Sequence, residues 1–220
     1  MRIWDDGGIV VPMTNSSPTT DHGADWDKRY SSEEQLFSGQ PNGALVTEVA
    51  TLRPGRALDV GCGEGGDAVW LAHRGWSVTA LDVSRVALDR AARRAGEMAS
   101  RIDFVHAGLL DADLDPGSFD LVTVHYPALP ATPGREAERL LAAAVVRGGT
   151  LLVVHHADVD AEAAKAHGFD PADYVMPGDV MSVLDDDWLV EVDERRPRDV
   201  PTGGGSGHSH DLVLRARRVR

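Results

Sequence analysis

The residues with the most obvious chemical use sit together early in the chain. Asp59-Val60-Gly61-Cys62-Gly63-Glu64-Gly65 places an acid just ahead of a glycine-rich loop, and a second acid, Asp82, ends the next apolar run. Glycines let a chain turn sharply out of a strand and let its backbone approach a ligand closely. A carboxylate at the end of the second strand can accept both hydroxyl hydrogens of a ribose. Gly61, Gly63 and Gly66 also satisfy G-x-G-x-x-G, the pattern of a dinucleotide-binding turn. Asp59 argues against a pyrophosphate at this loop. An acid two residues before the first glycine repels phosphates and favours a cationic ligand.

The histidines are the second resource. His106, His125 and the pair His155-His156 each close an apolar run, and His208-Ser209-His210 opens another. Ligands of parallel α/β sheets bind beyond the carboxyl ends of the strands. If the last strand runs antiparallel beside the one ending at His156, these six of the nine histidines share one rim. His125, His156 and His210 are the candidates for a base or a polarising group toward an acceptor. No resident metal is assigned. The single cysteine, Cys62, can form neither an internal disulfide nor a Cys-based zinc site.

These residues need a scaffold, and the pattern supplies one. Ala24–Tyr30 reads as a short helix with Trp26 and Tyr30 on one face. Asn42 is a candidate N-cap for a helix to Leu52. Strands follow at 56–61, 76–82, 102–106, 119–125 and 150–155, with helices at 67–73, from Ser84 onward, and over Gly134–Val146, where apolar residues keep the 3.6 period. This alternation predicts an α/β fold with a parallel sheet and helices on both faces. Trp188–Glu194 and Asp211–Arg217 alternate apolar and polar residues and are joined by a Pro- and Gly-rich stretch without helical pattern, which predicts an antiparallel hairpin. Residues 1–22 read as a polar tail, with Met13 an alternative start, and 23–220 as one domain in which 157–187 caps the acceptor side.

Composition narrows the class. The chain has 220 residues, 22 Lys and Arg against 35 Asp and Glu, and a formal charge of −13. Such a charge repels phosphate backbones, so no nucleic-acid partner is expected. No apolar run approaches a membrane span, and the start MRIWDDGGIVVPM lacks the pattern of a signal peptide. The expected location is the cytoplasm.

With Ala57-Leu58-Asp59-Val60-Gly61-Cys62-Gly63-Glu64-Gly65 and Val78-Thr79-Ala80-Leu81-Asp82-Val83-Ser84 in view, the chain resembles the class I S-adenosylmethionine-dependent methyltransferases from about Trp26 to Arg217. The resemblance implies a Rossmann-like, mostly parallel seven-stranded sheet with an antiparallel last strand beside the fifth. It implies that Asp59 lies near the cofactor's amino group, that Gly61, Cys62, Gly63 and Gly65 line its methionine portion, and that Asp82 binds its ribose. Val83, Gly108 and Leu109 would contact the adenine, and Trp26, Tyr30 and His125 would complete the cofactor site. An acid common in relatives just before that leucine is Gly108 here, with Asp111 as a substitute. Trp26-Asp27-Lys28-Arg29-Tyr30, Phe37-Ser38-Gly39-Gln40-Pro41-Asn42 and Gly65-Gly66-Asp67-Ala68-Val69-Trp70-Leu71-Ala72 are similar to the small-molecule enzymes of the tellurite-resistance and thiopurine type, whose N-terminal segment folds over the cofactor. The function implied is methyl transfer to a heteroatom (S, O, N or chalcogen) of a small molecule. An NAD-dependent oxidoreductase and a non-catalytic S-adenosylmethionine-binding module are the alternatives.

Overall fold

The structure is a computed structural model that describes residues 22–159, 162, 170–198 and 208–220. The N-terminal tail, Met13 and the first half of the 157–187 segment lie largely outside the described residues, as does the stretch 199–207. In chain order the elements are α1 (His22–Ser31), α2 (Gly43–Val49), β1 (Arg56–Val60), α3 (Gly66–His73), β2 (Ser77–Asp82), α4 (Arg85–Ala95), β3 (Ile102–His106), β4 (Phe119–His125), α5 (Glu136–Ala144), β5 (Val145–His156), α6 (Pro177–Met181), β6 (Trp188–Pro197) and β7 (His210–Arg218).

One seven-stranded sheet runs in the order β3-β2-β1-β4-β5-β7-β6. The first five strands are mutually parallel. β7 lies antiparallel between β5 and β6, as the hairpin pattern predicts. Central strands are covered on both faces and therefore read as continuous apolar runs: Ala57, Leu58, Leu121, Val122, Leu151 and Leu152 are all fully buried. α2, α3 and α4 pack on one face, through Leu45, Leu71 and Leu88. α5 and α6 cover the other, through Leu141 and Val180.

Two local differences from the sequence reading have simple causes. The helix expected over Gly134–Val146 stops at Ala144, and Val145 already pairs with Phe119. β-Branched Val145 and Val146 continue the helical spacing but suit a strand better. A register shift lets Arg147-Gly148-Gly149 bulge before Leu121 pairs with Thr150, and Gly148 takes φ +86 there. Asn42 has the extended backbone of an N-cap, but its side chain does not cap α2; it reaches Asp67 instead. Asp170 caps only the short turn Pro171–Asp173. Ser84, by contrast, caps α4 as expected, accepting from the Ala87 amide at 3.1 Å. No helix among the described residues is long and apolar enough to cross a membrane.

Candidate functional site

The glycine loop leaves β1 and is tied to the end of β2, where the Gly61 and Cys62 amides both donate to the Leu81 carbonyl at 2.8 and 3.0 Å. Gly61, Gly63 and Gly65 have φ of +71, +52 and +81, the left-handed region that only glycine enters without strain. Asp82 accepts from the Gly63 and Ser84 amides, both at 2.8 Å. Asp59 is 2% exposed, and its Oδ2 has no hydrogen-bond partner among the described residues. Burial, then Asp67 and Asp82, push its carboxyl well above the ordinary range, against a hydrogen bond from the Ala68 backbone. Burial likewise raises Asp82. Burial, followed by Asp59, raises the Cys62 thiol, so Cys62 is an inert packing residue of the loop. The loop is thus acidic, buried and short of positive charge.

The N-terminal segment is fastened over it. Tyr30 is buried, with Trp26 at 5.8 Å and Phe37 edge-on at 6.1 Å between ring centres. A Cβ on Gly63 would lie 2.9 Å from the Tyr30 hydroxyl. Glu64 accepts from the Leu36 and Phe37 amides and pairs with Arg90 at 2.9 Å. Arg90 also donates to the Tyr30 and Glu33 carbonyls. Asp27 accepts from the Ser84 hydroxyl (2.6 Å) and the Val86 amide; the Ser84 bond is the main cause of its lowered pKa. Glu64, Arg90 and Asp27 escaped the sequence reading, because each acts on residues 26 or more positions away. Glu64→Ala removes both amide acceptors and the partner of Arg90. The Leu36 and Phe37 amides of that variant should exchange hydrogen on the order of tenfold faster, since bonds to a charged acceptor contribute about 1.5–3 kcal/mol. Unchanged exchange there would refute the clasp.

On the adenine side expected from the sequence, His106 Nε2 lies 2.9 Å from the Val83 carbonyl and so donates to it. Leu109 is buried, while Leu110 is 48% exposed. The Asp111 carboxylate comes 3.1 Å from where a Gly108 Cβ would stand.

The histidines do gather at one edge. His106, His125 and His156 end their strands, and β7 begins at that edge, with Asp211 opposite His156. Strand alternation then divides them. His125 and His156 share the face of Asp59, Asp82 and α3. His155 and His210 point to the α5 face. His210 is opposite Pro197, one residue out of step with Asp211. It pairs with Asp158 at 3.3 Å, and Arg195 holds Asp158 from the other side. His210 is therefore not brought together with His125 and His156, a correction to their grouping.

His125 is 7% exposed. Its Nδ1 lies 3.1 Å from the Thr123 hydroxyl and 3.3 Å from Asp67 Oδ2. Its Nε2 is buried without a partner among the described residues. Burial lowers its pKa, with Asp67 and Asp211 opposing. His156 is stacked between Tyr126 and His208, at 4.2 and 4.0 Å. Arg198 Nη1 stands 3.2 Å from His156 Nδ1 and can only donate, so that nitrogen is a lone-pair acceptor. Burial, then His208 and Arg198, hold the His156 pKa down to about 3. Tyr126, at φ +50, donates its hydroxyl to Asp211 at 2.9 Å and carries the Arg198 guanidinium above its ring at 4.8 Å. His156 is thus a neutral wedge in an aromatic stack, and His125 alone of the three candidates presents a buried, unused nitrogen on the loop's face. Among the described residues no group of three or more His, Cys, Asp or Glu is placed to hold a metal ion.

Residues 57–148 match the methyltransferase domain family. Over 111 residues the chain is 36% identical to an uncharacterized methyltransferase of Mycobacterium tuberculosis, covering 50% of this chain and 55% of that protein. Over 120 residues it is 36% identical to glycine N-methyltransferase of Rattus norvegicus, covering 48% and 41%. The chain thus spans about half the length of the curated relatives it matches. A structure from work on the conversion of a disulfide bond into a thioacetal group during echinomycin biosynthesis superposes with a TM-score of 0.70 at 25% identity, over 89% of this chain and 92% of that one. The 1,6-didemethyltoxoflavin N1-methyltransferase of Burkholderia thailandensis, with 1,6-didemethyltoxoflavin and S-adenosylhomocysteine bound, superposes at 0.64 and 17% identity, over 96% and 94%.

Proposed function

We infer that this chain, which carries a methyltransferase domain on a Rossmann-like sheet, is a class I S-adenosylmethionine-dependent methyltransferase that methylates a heteroatom of a small molecule. The observation that carries the reading is the orphaned Asp59 carboxylate beside the glycine loop. A buried acid with an unpaired oxygen suits the cationic amino group of that cofactor and would repel a dinucleotide's pyrophosphate.

The remaining residues fit the group as well. Each Asp82 oxygen takes one backbone amide and keeps a lone pair for a ribose hydroxyl. Val83 and Asp111 flank Gly108, the expected adenine side, and the Tyr30 hydroxyl abuts Gly63 of the loop. S-adenosylmethionine, when bound, supplies a methyl group activated on a sulfonium for in-line displacement. The chain's own contribution is alignment, which can be worth about 7–11 kcal/mol, and exclusion of water by the clasped N-terminal segment. The described part of the 157–187 segment supports its reading as a cap. It is fixed to the loop after β4 by the Pro130–Tyr174 bridge and the Val175–Leu129 hydrogen bond.

The N-terminal clasp favours the small-molecule branch. The similar structure from thioacetal biosynthesis and the two N-methyltransferases favour a heteroatom acceptor. Titration calorimetry tests the cofactor. S-adenosylmethionine should bind with a Kd in the micromolar range and NAD should not; NAD binding without S-adenosylmethionine binding would overturn the reading in favour of an oxidoreductase. Release of S-adenosylhomocysteine across thiols, phenols, amines, halides and chalcogen oxyanions then identifies the acceptor. Cofactor binding with no turnover would leave a binding module.

A further inference from the structure

We propose that Asn42, Asp67 and His125 form a base relay in which His125 takes the proton while Asp67 and Asn42 hold its ring in place, and that the acceptor of this enzyme therefore presents a protonated heteroatom (thiol, phenol or N–H) rather than a preformed anion or a thioether. The proposal rests on the methyltransferase reading above and extends it to the class of substrate.

The geometry runs from outside inward. Asn42, ahead of α2, grips Asp67 with both its backbone amide (2.7 Å) and its side-chain Nδ2 (2.8 Å). These bonds explain why the Asn42 side chain does not cap its own helix. Asp67, in the first turn of α3, is 6% exposed, and its Oδ2 lies 3.3 Å from His125 Nδ1. A carboxylate can only accept, and the Thr123 hydroxyl at 3.1 Å can accept as well. The hydroxyl can equally donate, so it is the Asp67 carboxylate that favours the ring proton on Nδ1, which leaves the Nε2 lone pair free. Nε2 is also buried with no hydrogen-bond partner among the described residues.

The groups facing His125 are Asp67 from α3, Thr123 on its own strand, the Tyr126 ring at 6.2 Å, and Asp211 from β7, which acts on it through space. Nothing cationic is among them, so the surroundings favour accepting a proton. A nucleophile that is already anionic would need no such lone pair and would be repelled by Asp67.

The step balances. The acceptor atom uses an electron pair to form its bond to the methyl carbon, and the carbon–sulfur bond breaks with its pair going to sulfur, which becomes a neutral thioether. The acceptor's proton passes to His125 Nε2. The resulting imidazolium faces Asp67 until the proton leaves to solvent. Asp67 and Asn42 are positioning residues; only His125 touches the acceptor.

Long-range proton–nitrogen correlation spectra of the histidine rings of the full chain read the tautomer directly, without any variant. At neutral pH His125 should carry its proton on Nδ1; a proton on Nε2 overturns the relay. In Asp67→Asn, whose amide can donate to Nδ1, the proton should move to Nε2. That variant should lose kcat on the order of 100-fold at saturating S-adenosylmethionine, where any change in cofactor affinity through Asp59 does not enter. Retained kcat overturns the relay, as does turnover confined to aprotic probes (iodide and dimethyl sulfide) with none on thiophenol, phenol or imidazole. The methyltransferase reading fails separately, if S-adenosylmethionine does not bind the wild-type chain by calorimetry.

Discussion

Asp59→Asn should weaken S-adenosylmethionine binding on the order of 100-fold while making the ligand-free protein more stable. Removing one partner of a buried charge pair costs about 2–5 kcal/mol of binding, and Asp59 is the buried acid with an unpaired oxygen at this loop. The stability effect has the opposite sign. Burial first, and then Asp67 and Asp82, raise the Asp59 pKa above its unfolded value. Its ionisation therefore opposes folding. The native state is relieved of that cost below the unfolded pKa, near about 3.9, and bears more of it as pH rises toward the folded pKa. Asn carries no charge, so the variant should melt higher than wild type at neutral pH, and the gap should close in acid. Binding should show the mirror image. Wild-type affinity rises with pH as Asp59 ionises, and the variant's does not. Calorimetry and thermal melts over a pH series check both. Affinity within threefold of wild type would show that no cation sits at Asp59.

Gly65→Val should destabilise the fold by about 2–5 kcal/mol. Gly65 has φ +81, and a Cβ there would stand 2.8 Å from the Ala91 Cβ and 3.1 Å from the Ala91 backbone. The left-handed conformation costs an L-residue about 1–2 kcal/mol, and overpacking costs about 1–3 kcal/mol more. Gly117 separates the two. It has φ +61 with open space around it, so Gly117→Val should lose only the conformational part. Urea unfolding of both variants measures the difference. Equal losses would mean that the contact between the glycine loop and α4 carries no weight.

The scaffold was legible because its signals are local. Leu58, Val122 and Leu152 lie in short apolar runs punctuated by glycine, and such runs become buried parallel strands with little ambiguity. Asp59 and Asp82 were legible by type and position alone. What remained hidden depends on contacts between distant parts of the chain. Asn42 looked like a helix cap because nothing local reveals that Asp67, 25 residues on, takes both of its donors. His156 and His210 looked equivalent to His125 because a strand end fixes an edge but not a face. A single residue of register against β5, with Asp211 rather than His210 opposite His156, decides which histidine meets the glycine loop. Glu64 read as part of the loop, yet its carboxylate serves the Leu36 and Phe37 amides.

The placement of β7 between β5 and β6 also makes the final hairpin a separable unit of the sheet. The five parallel strands can pair with one another without the hairpin, since each has a neighbour earlier or later in the first 156 residues. β6 has no such neighbour: its one partner in the sheet is β7, which follows it in sequence. Pairing over so short a separation loses little loop-closure entropy. The hairpin is therefore a local pairing unit, and β5 is where it joins the parallel strands. That junction brings Asp211 and Arg198 against Tyr126 and His156, so the expected acceptor rim is built across the seam between the hairpin and the parallel strands.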